Sequence, residues 1–137
     1  MTEKPITEDD EVIKRFEGIR EEEIKMMTAI TRDPNPIHYD HRMVESMDIP
    51  GLINQGASNL SYFIQGINEF TDSPQEIIDI EVRFRNQVYD GDSIECIISV
   101  EEVEPTADSR VAELSGSLEK EDGNVVLTGT ATVEIHE

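Results

Sequence analysis

From Gln55 through Asn68 no side chain carries a charge, in a chain where 31% of residues are charged. Within this gap Leu60, Phe63, Ile64 and Ile67 recur at helical spacing. The other positions, Ser58, Asn59, Ser61, Tyr62, Gln65 and Asn68, are only weakly polar. A helix from about Gln55 to Phe70 is therefore expected to be enclosed on most sides. Whatever the rest of the chain builds has to wrap it.

The second half supplies the wrapping. Ile78, Ile80, Val82, Phe84 and Val88 alternate with polar residues, as do Ile94, Cys96, Ile98 and Val100. Ala112, Leu114, Gly116 and Leu118 follow, then Val125, Leu127, Ala131, Val133 and Ile135. Period-two alternation gives strands with one apolar face. Turn signals at Asp90-Gly91, Pro105–Ser109 and Asp122-Gly123 imply four long strands in an antiparallel meander. Helices first and strands after is an α+β pattern. A long central helix wrapped by a curved antiparallel sheet is the hot-dog fold.

Ahead of the long helix, residues 1–10 read as a flexible acidic lead-in to a single domain spanning 1–137. Val12, Ile13, Phe16 and Ile19 suggest a short strand running to Gly18. Residues 21–30 suit a helix: Glu21, Glu22 and Glu23 favour its positive end, and Ile24, Met27 and Ile30 lie near one face. Asp40 caps a short helix holding Met43, Val44 and Met47, which Ile49-Pro50-Gly51 ends. Met26, Met27, Met43 and Met47 read as core filler.

The length of 137 residues supports one domain with its own core. With 31 acidic and 11 basic residues the net charge is -20, which excludes general binding to a phosphate backbone. The acids are spread along the whole chain, so they form no tail. Composition points instead to a salt-rich, haloarchaeal-type cytoplasm, where screening makes such self-repulsion tolerable. The lone Cys96 permits no intrachain disulfide and reads as a buried thiol. With neither a signal peptide nor a membrane-length apolar run, a cytoplasmic location is the default expectation.

Between the two early helices runs Asp33-Pro34-Asn35-Pro36-Ile37-His38. Two prolines exclude a continuous helix or interior strand, and Asn35 before Pro36 is pushed toward extended backbone. A stiff loop can hold a carboxylate and an imidazole in a fixed relation, as acid–base chemistry requires. His41 and His136 lack such a setting and read as surface residues.

Extended to Tyr39-Asp40, this stretch resembles the Asp-x-Asn-Pro-x-His-x-Asp signature of the MaoC-like dehydratases, close to the (R)-specific enoyl-CoA hydratases. The resemblance covers nearly the whole chain. It implies a hydro-lyase that adds water across a trans-2-enoyl-CoA to give (R)-3-hydroxyacyl-CoA, in polyester synthesis or fatty-acid metabolism. It implies Asp33 and His38 as the catalytic pair, Asn35 as a support, and Gly56 with Ala57 as N–H donors to the thioester oxygen. Ser61 and Gln55 take supporting places. Such enzymes form homodimers and need neither cofactor nor metal.

The sequence departs from the family pattern twice: Arg32 stands where glycine is usual before the aspartate, and Gln55-Gly56 stands where His-Gly is frequent. Leu52, Ile53, Phe63 and Ile64 are near enough in sequence to line an acyl slot. Arg32, Arg42, Arg83 and Arg85 are the candidates for the CoA phosphates. Two alternatives stay open: a dehydratase of a branched or dicarboxylic acyl-CoA, suggested by Arg32, and a non-catalytic acyl-CoA-binding subunit.

Overall fold

A computed structural model describes residues 6–136. In chain order the elements are strand β1 (Glu11–Phe16), helix α1 (Glu21–Thr31), helix α2 (His41–Ser46), helix α3 (Gly56–Ile67) and strands β2 (Ile77–Phe84), β3 (Ile94–Pro105), β4 (Ser109–Lys120) and β5 (Val125–His136). A 3-10 turn spans Pro36–His38 and another Pro74–Glu76. The strands form one antiparallel sheet in the order β1-β3-β4-β5-β2. This is the α+β hot-dog architecture that the sequence led us to expect.

Helix α3 buries Ser58, Asn59, Phe63, Gly66 and Ile67 against the sheet. Phe63 and Ile67 join Ile94, Cys96, Ile98, Leu114, Leu118, Leu127 and Val133 in one core. At Gly66 helix and sheet pack too closely for a side chain, since a Cβ there would run into Cys96 Sγ and crowd Ile98. Two sides of α3 behave differently. Gly56, Ala57 and Gln65 are exposed, and Leu60 and Ile64 are only half-buried. Enclosure is therefore incomplete along one flank.

The meander is confined to β3, β4 and β5. Strand β2 does not fold back on β3 across Asp90-Gly91; it lies at the opposite edge, beside β5. The reason is a competing partner for the segment between them. Asn54 N–H donates to Val88 O at 2.7 Å, Asp90 N–H to Leu52 O at 3.0 Å, and Leu52 N–H to the Asp90 carboxylate at 2.7 Å. Residues 52–54 thus take up the backbone groups that a hairpin would have used. Gly91, at φ 89°, donates its N–H to Ile19 O at 2.7 Å.

Several side chains depart from the simple alternation. A bulge between Ile77 and Asp79 turns Ile78 outward, 58% exposed, while Ile77 packs on the core. A second irregularity near the start of β5 lets Val126 and Leu127 both be buried. Ile30 is 70% exposed, and Met26, Met43 and Met47 are exposed rather than core filler, because α1 and α2 touch the body of the protein along narrow stripes around Ile24 and Val44.

The expected lead-in is anchored where it is described. Ile6 is buried, Asp9 N–H donates to Val100 O at 3.0 Å and Val100 N–H to Asp10 O at 2.8 Å. Residues 1–5 of that lead-in lie outside the described residues. Among the described residues no helix is long and apolar enough to cross a membrane.

Candidate active site

The loop after α1 is built by a relay of short-range hydrogen bonds. Arg32 ends the helix in the left-handed region, φ 56°, and Asp33 N–H returns to Thr28 O at 3.2 Å. The Asp33 carboxylate accepts the Asn35 N–H through Oδ1 at 3.0 Å. Asn35 Oδ1 then accepts the Ile37 N–H at 3.2 Å and caps the 3-10 turn that Pro36 begins. His38 N–H reaches Asn35 O at 3.2 Å, and the Tyr39 hydroxyl donates to Pro34 O at 3.0 Å. Asp40 caps α2 by accepting from Arg42 N–H and Met43 N–H. Asn35 thus links Asp33 to the 3-10 turn, through its own N–H on one side and its side chain on the other.

This loop brings the two titratable groups together. Asp33 Oδ2 lies 3.1 Å from His38 Nε2; the Asp33 side chain is 40% exposed and that of His38 only 9%. The other ring nitrogen, Nδ1, lies 2.6 Å from Ile53 O. A carbonyl oxygen only accepts, so Nδ1 carries a proton and the tautomer is fixed. The neutral ring then offers Nε2 as a lone pair toward a carboxylate. Two lone pairs facing at this distance leave no room for a water, so a proton lies between them in a direct hydrogen bond.

Ile53 is the residue that sequence reasoning missed in this role, because a backbone carbonyl leaves no trace in a side-chain pattern. It also ties the loop to the body: Ile53 N–H donates to Ile37 O at 3.0 Å, and Ile53 forms an isolated bridge with Tyr89. Three residues later α3 begins. Gly56 and Ala57 are exposed there, and Gln55 provides no side-chain cap, so the first N–H groups of α3 have no intrahelical acceptor. A Cβ on Gly56 would lie 3.5 Å from the ring of Phe84.

Gln55 is buried and faces α1. Its Nε2 donates to Ile24 O at 2.9 Å and to Thr28 Oγ1 at 3.1 Å. The amide thus clamps the helix that leads into the Asp33 loop against the head of α3. Beside it, Asn54 Nδ2 donates to Asn59 Oδ1 at 2.8 Å, a buried pair that ties the residue before Gln55 to the uncharged helix. Burial pushes the phenol of the neighbouring Tyr62 upward, with the Glu23 charge adding to the shift.

Other expected site residues stand apart from the pair. The Ser61 hydroxyl donates back to Ser58 O at 2.7 Å. Leu52 and Phe63 have no exposure and Ile53 is buried, so these three belong to the core rather than to an open acyl slot; Ile64 is half-buried on the uncovered flank of α3. Arg32, Arg42, Arg83 and Arg85 are exposed and form no ion pair among the described residues. A shallow concavity of about 460 Å³ lies across β2 and β5, lined by Glu81, Arg83, Thr128 and Thr130, and does not include Asp33 or His38.

Comparison with solved structures places this architecture among known proteins. The chain superposes on R-hydratase PhaJ1 from Pseudomonas aeruginosa with a TM-score of 0.84 at 19% identity, covering 96% of this chain and 84% of that one. The (R)-hydratase from A. caviae involved in PHA biosynthesis gives 0.80 at 18% identity, with 95% and 97% covered. The HadBC (3R-hydroxyacyl-ACP dehydratase) complex from Mycobacterium tuberculosis gives 0.67 at 14% identity, with 93% and 98% covered. At these identities the likeness is one of fold. No curated protein sequence matches. The family model described as "MaoC like domain" matches residues 2–121, so the chain belongs to the MaoC-like domain family.

Proposed function

We propose that this protein is an (R)-specific enoyl-CoA hydratase, a hydro-lyase acting as a homodimer on trans-2-enoyl-CoA. The observation that carries the reading is the 3.1 Å approach of Asp33 Oδ2 to His38 Nε2, with Nδ1 held by Ile53 O. Hydration needs a base to take a proton from water as its oxygen bonds to C3, and an acid to deliver a proton to C2. A water bound beside the Asp33–His38 contact, within reach of both side chains, is served by them as base and acid. As the C3–O bond forms, negative charge collects on the thioester oxygen. The free N–H groups of Gly56 and Ala57 at the positive end of α3 are the donors for it, and losing such a donor typically costs about 100-fold in rate.

The R-hydratase neighbours and the family support this chemistry, since both carry the same fold around a central helix. Arg32 and Arg42 flank the catalytic loop without an acidic partner among the described residues, and they are the cations we assign to the CoA phosphates. Arg32, directly beside Asp33, also favours a second reading, a dehydratase whose acyl group bears a carboxylate.

The test is loss of enoyl thioester absorbance in molar KCl, run on crotonyl-CoA, a branched enoyl-CoA and a dicarboxylic enoyl-CoA. Crotonyl-CoA turnover that Asp33→Asn and His38→Ala each reduce by about 100-fold or more supports the reading. Preference for the dicarboxylic substrate moves the assignment to the second. Tight binding of every thioester with no turnover makes the protein a binding subunit instead.

A further inference from the structure

The proposed chemistry draws on two separate pieces of chain. Asp33 and His38 stand on the loop after α1, and the open N–H groups stand at the head of α3. A displacement of about 1 Å between groups acting on one substrate can cost about 100-fold in rate. The two pieces therefore have to be held in register.

Backbone holds the His38 end. Ile53 N–H donates to Ile37 O at 3.0 Å, and His38 Nδ1–H donates to Ile53 O at 2.6 Å. The Asp33 end hangs on α1. That helix fully buries only Ile24, and Met26 and Ile30 on its outer side are exposed. Tertiary packing is the main source of stability for a helix this short, so α1 is gripped weakly by its apolar side chains alone.

A polar contact makes up the hold. Gln55 Nε2 donates to Thr28 Oγ1 at 3.1 Å and to Ile24 O at 2.9 Å. Thr28 O in turn accepts the N–H of Asp33 at 3.2 Å, and that of Arg32 as well. Thr28 thus touches both pieces. Its hydroxyl meets the side chain of the residue before Gly56, and its carbonyl holds the backbone of Asp33. We propose that the Thr28–Gln55 contact is a positioning element, which sets the Asp33 carboxylate at its working distance from the N–H groups of Gly56 and Ala57. This inference rests on the hydratase reading and adds to it two residues that act through others.

Stability does not account for this amide. Gln55 Oε1 is buried and has no hydrogen-bond partner among the described residues. Taking an acceptor out of water without a partner opposes folding, so an apolar side chain of the same length would serve the core at least as well. Gln55 is also the N-cap of α3 and does not cap it. A Ser, Thr, Asp or Asn here would accept from the N–H of Ala57 or Ser58 and add stability. It would also occupy a donor that the thioester oxygen needs. Spent on Thr28, the Gln55 side chain leaves the head of α3 open.

The contact can be removed without stranding a buried group. The Thr28 hydroxyl donates to Ile24 O at 3.3 Å, so both groups that receive the Gln55 amide keep another partner. The experiment follows hydration of crotonyl-CoA in molar KCl by wild type, Gln55→Met, Thr28→Val, Thr28→Ser and the double variant of the first two. Gln55→Met keeps the length of the side chain and Thr28→Val its shape, and both abolish the contact. Each is expected to lower kcat by about 10-fold, with KM within about twofold of wild type and an unchanged or higher urea midpoint. The double variant should lose no more than either single one, because both remove the same interaction. Thr28→Ser keeps the hydroxyl and should keep kcat. Wild-type kcat in Gln55→Met or in Thr28→Val overturns the inference and leaves the hydratase reading in place. Losses that multiply in the double variant, or that follow a lowered urea midpoint, do the same. If wild type turns over no enoyl thioester, both fall.

Discussion

The carboxylate of Asp33 meets Nε2 of His38 at 3.1 Å while Nδ1 of the same ring is held by Ile53 O at 2.6 Å. The imidazole is thereby fixed in both orientation and tautomer, with Nε2 turned to Asp33. In nitrogen-15 NMR of the folded protein, the neutral His38 ring is expected to be the Nδ1–H tautomer. A dominant Nε2–H tautomer in the neutral ring would remove this arrangement.

Arg32 closes α1 at φ 56°, a left-handed conformation that glycine adopts freely and other residues adopt at a cost. The structure thus supplies a reason for glycine at this place in the family motif. Arg32→Gly is expected to leave stability unchanged or raise it by up to about 1 kcal/mol, and Arg32→Val to lower it by about 1 kcal/mol or more, measured by chemical denaturation. If Arg32 also meets a CoA phosphate, both variants raise KM for acyl-CoA and leave KM for a short N-acetylcysteamine thioester unchanged.

Gly66 packs α3 tightly against β3, beside Cys96 Sγ and Ile98. Gly66→Ala is expected to destabilise by about 1–3 kcal/mol through overpacking. Adding Cys96→Ala should recover part of that loss, because the clash is with the sulfur. Additive effects in the double-mutant cycle would show that the two sites do not meet.

Burial pushes the Cys96 thiol up to about 12, while an unfolded chain titrates near 8.5. The folded state therefore keeps its proton where the unfolded state loses it. This contribution to stability is complete below the unfolded value and declines as pH rises from there toward 12. Cys96 should resist thiol reagents at pH 8 in the native protein and react at once in denaturant. Cys96→Ala should flatten the alkaline part of the stability profile.

A net charge of -20 opposes the compact state unless it is screened. Thermal unfolding is expected to shift upward with KCl toward 1 M, where the screening length is about 3 Å. Sulfate-free titration with KCl and NaCl at equal ionic strength, followed by circular dichroism, checks this. A melting temperature that is flat in salt would remove the salt-rich cytoplasm from consideration.

Much of this protein is written locally. The prolines and asparagine of 33–38 fix the Asp33–His38 loop through contacts only a few residues long, so its stiffness was legible from the local sequence. The charge gap from Gln55 to Asn68 located the central helix, and alternation located β3, β4 and β5, because burial on one face selects residue type directly. What the sequence alone did not decide depends on competition between distant partners. Residues 52–54 claim the backbone of 88–90, and that sends β2 to the far edge. Ile53 O becomes the support of His38, and Gln55 is spent on α1. Exposed methionines were indistinguishable from buried ones, since hydrophobicity shows that a side chain prefers to leave water and not whether the fold has room for it.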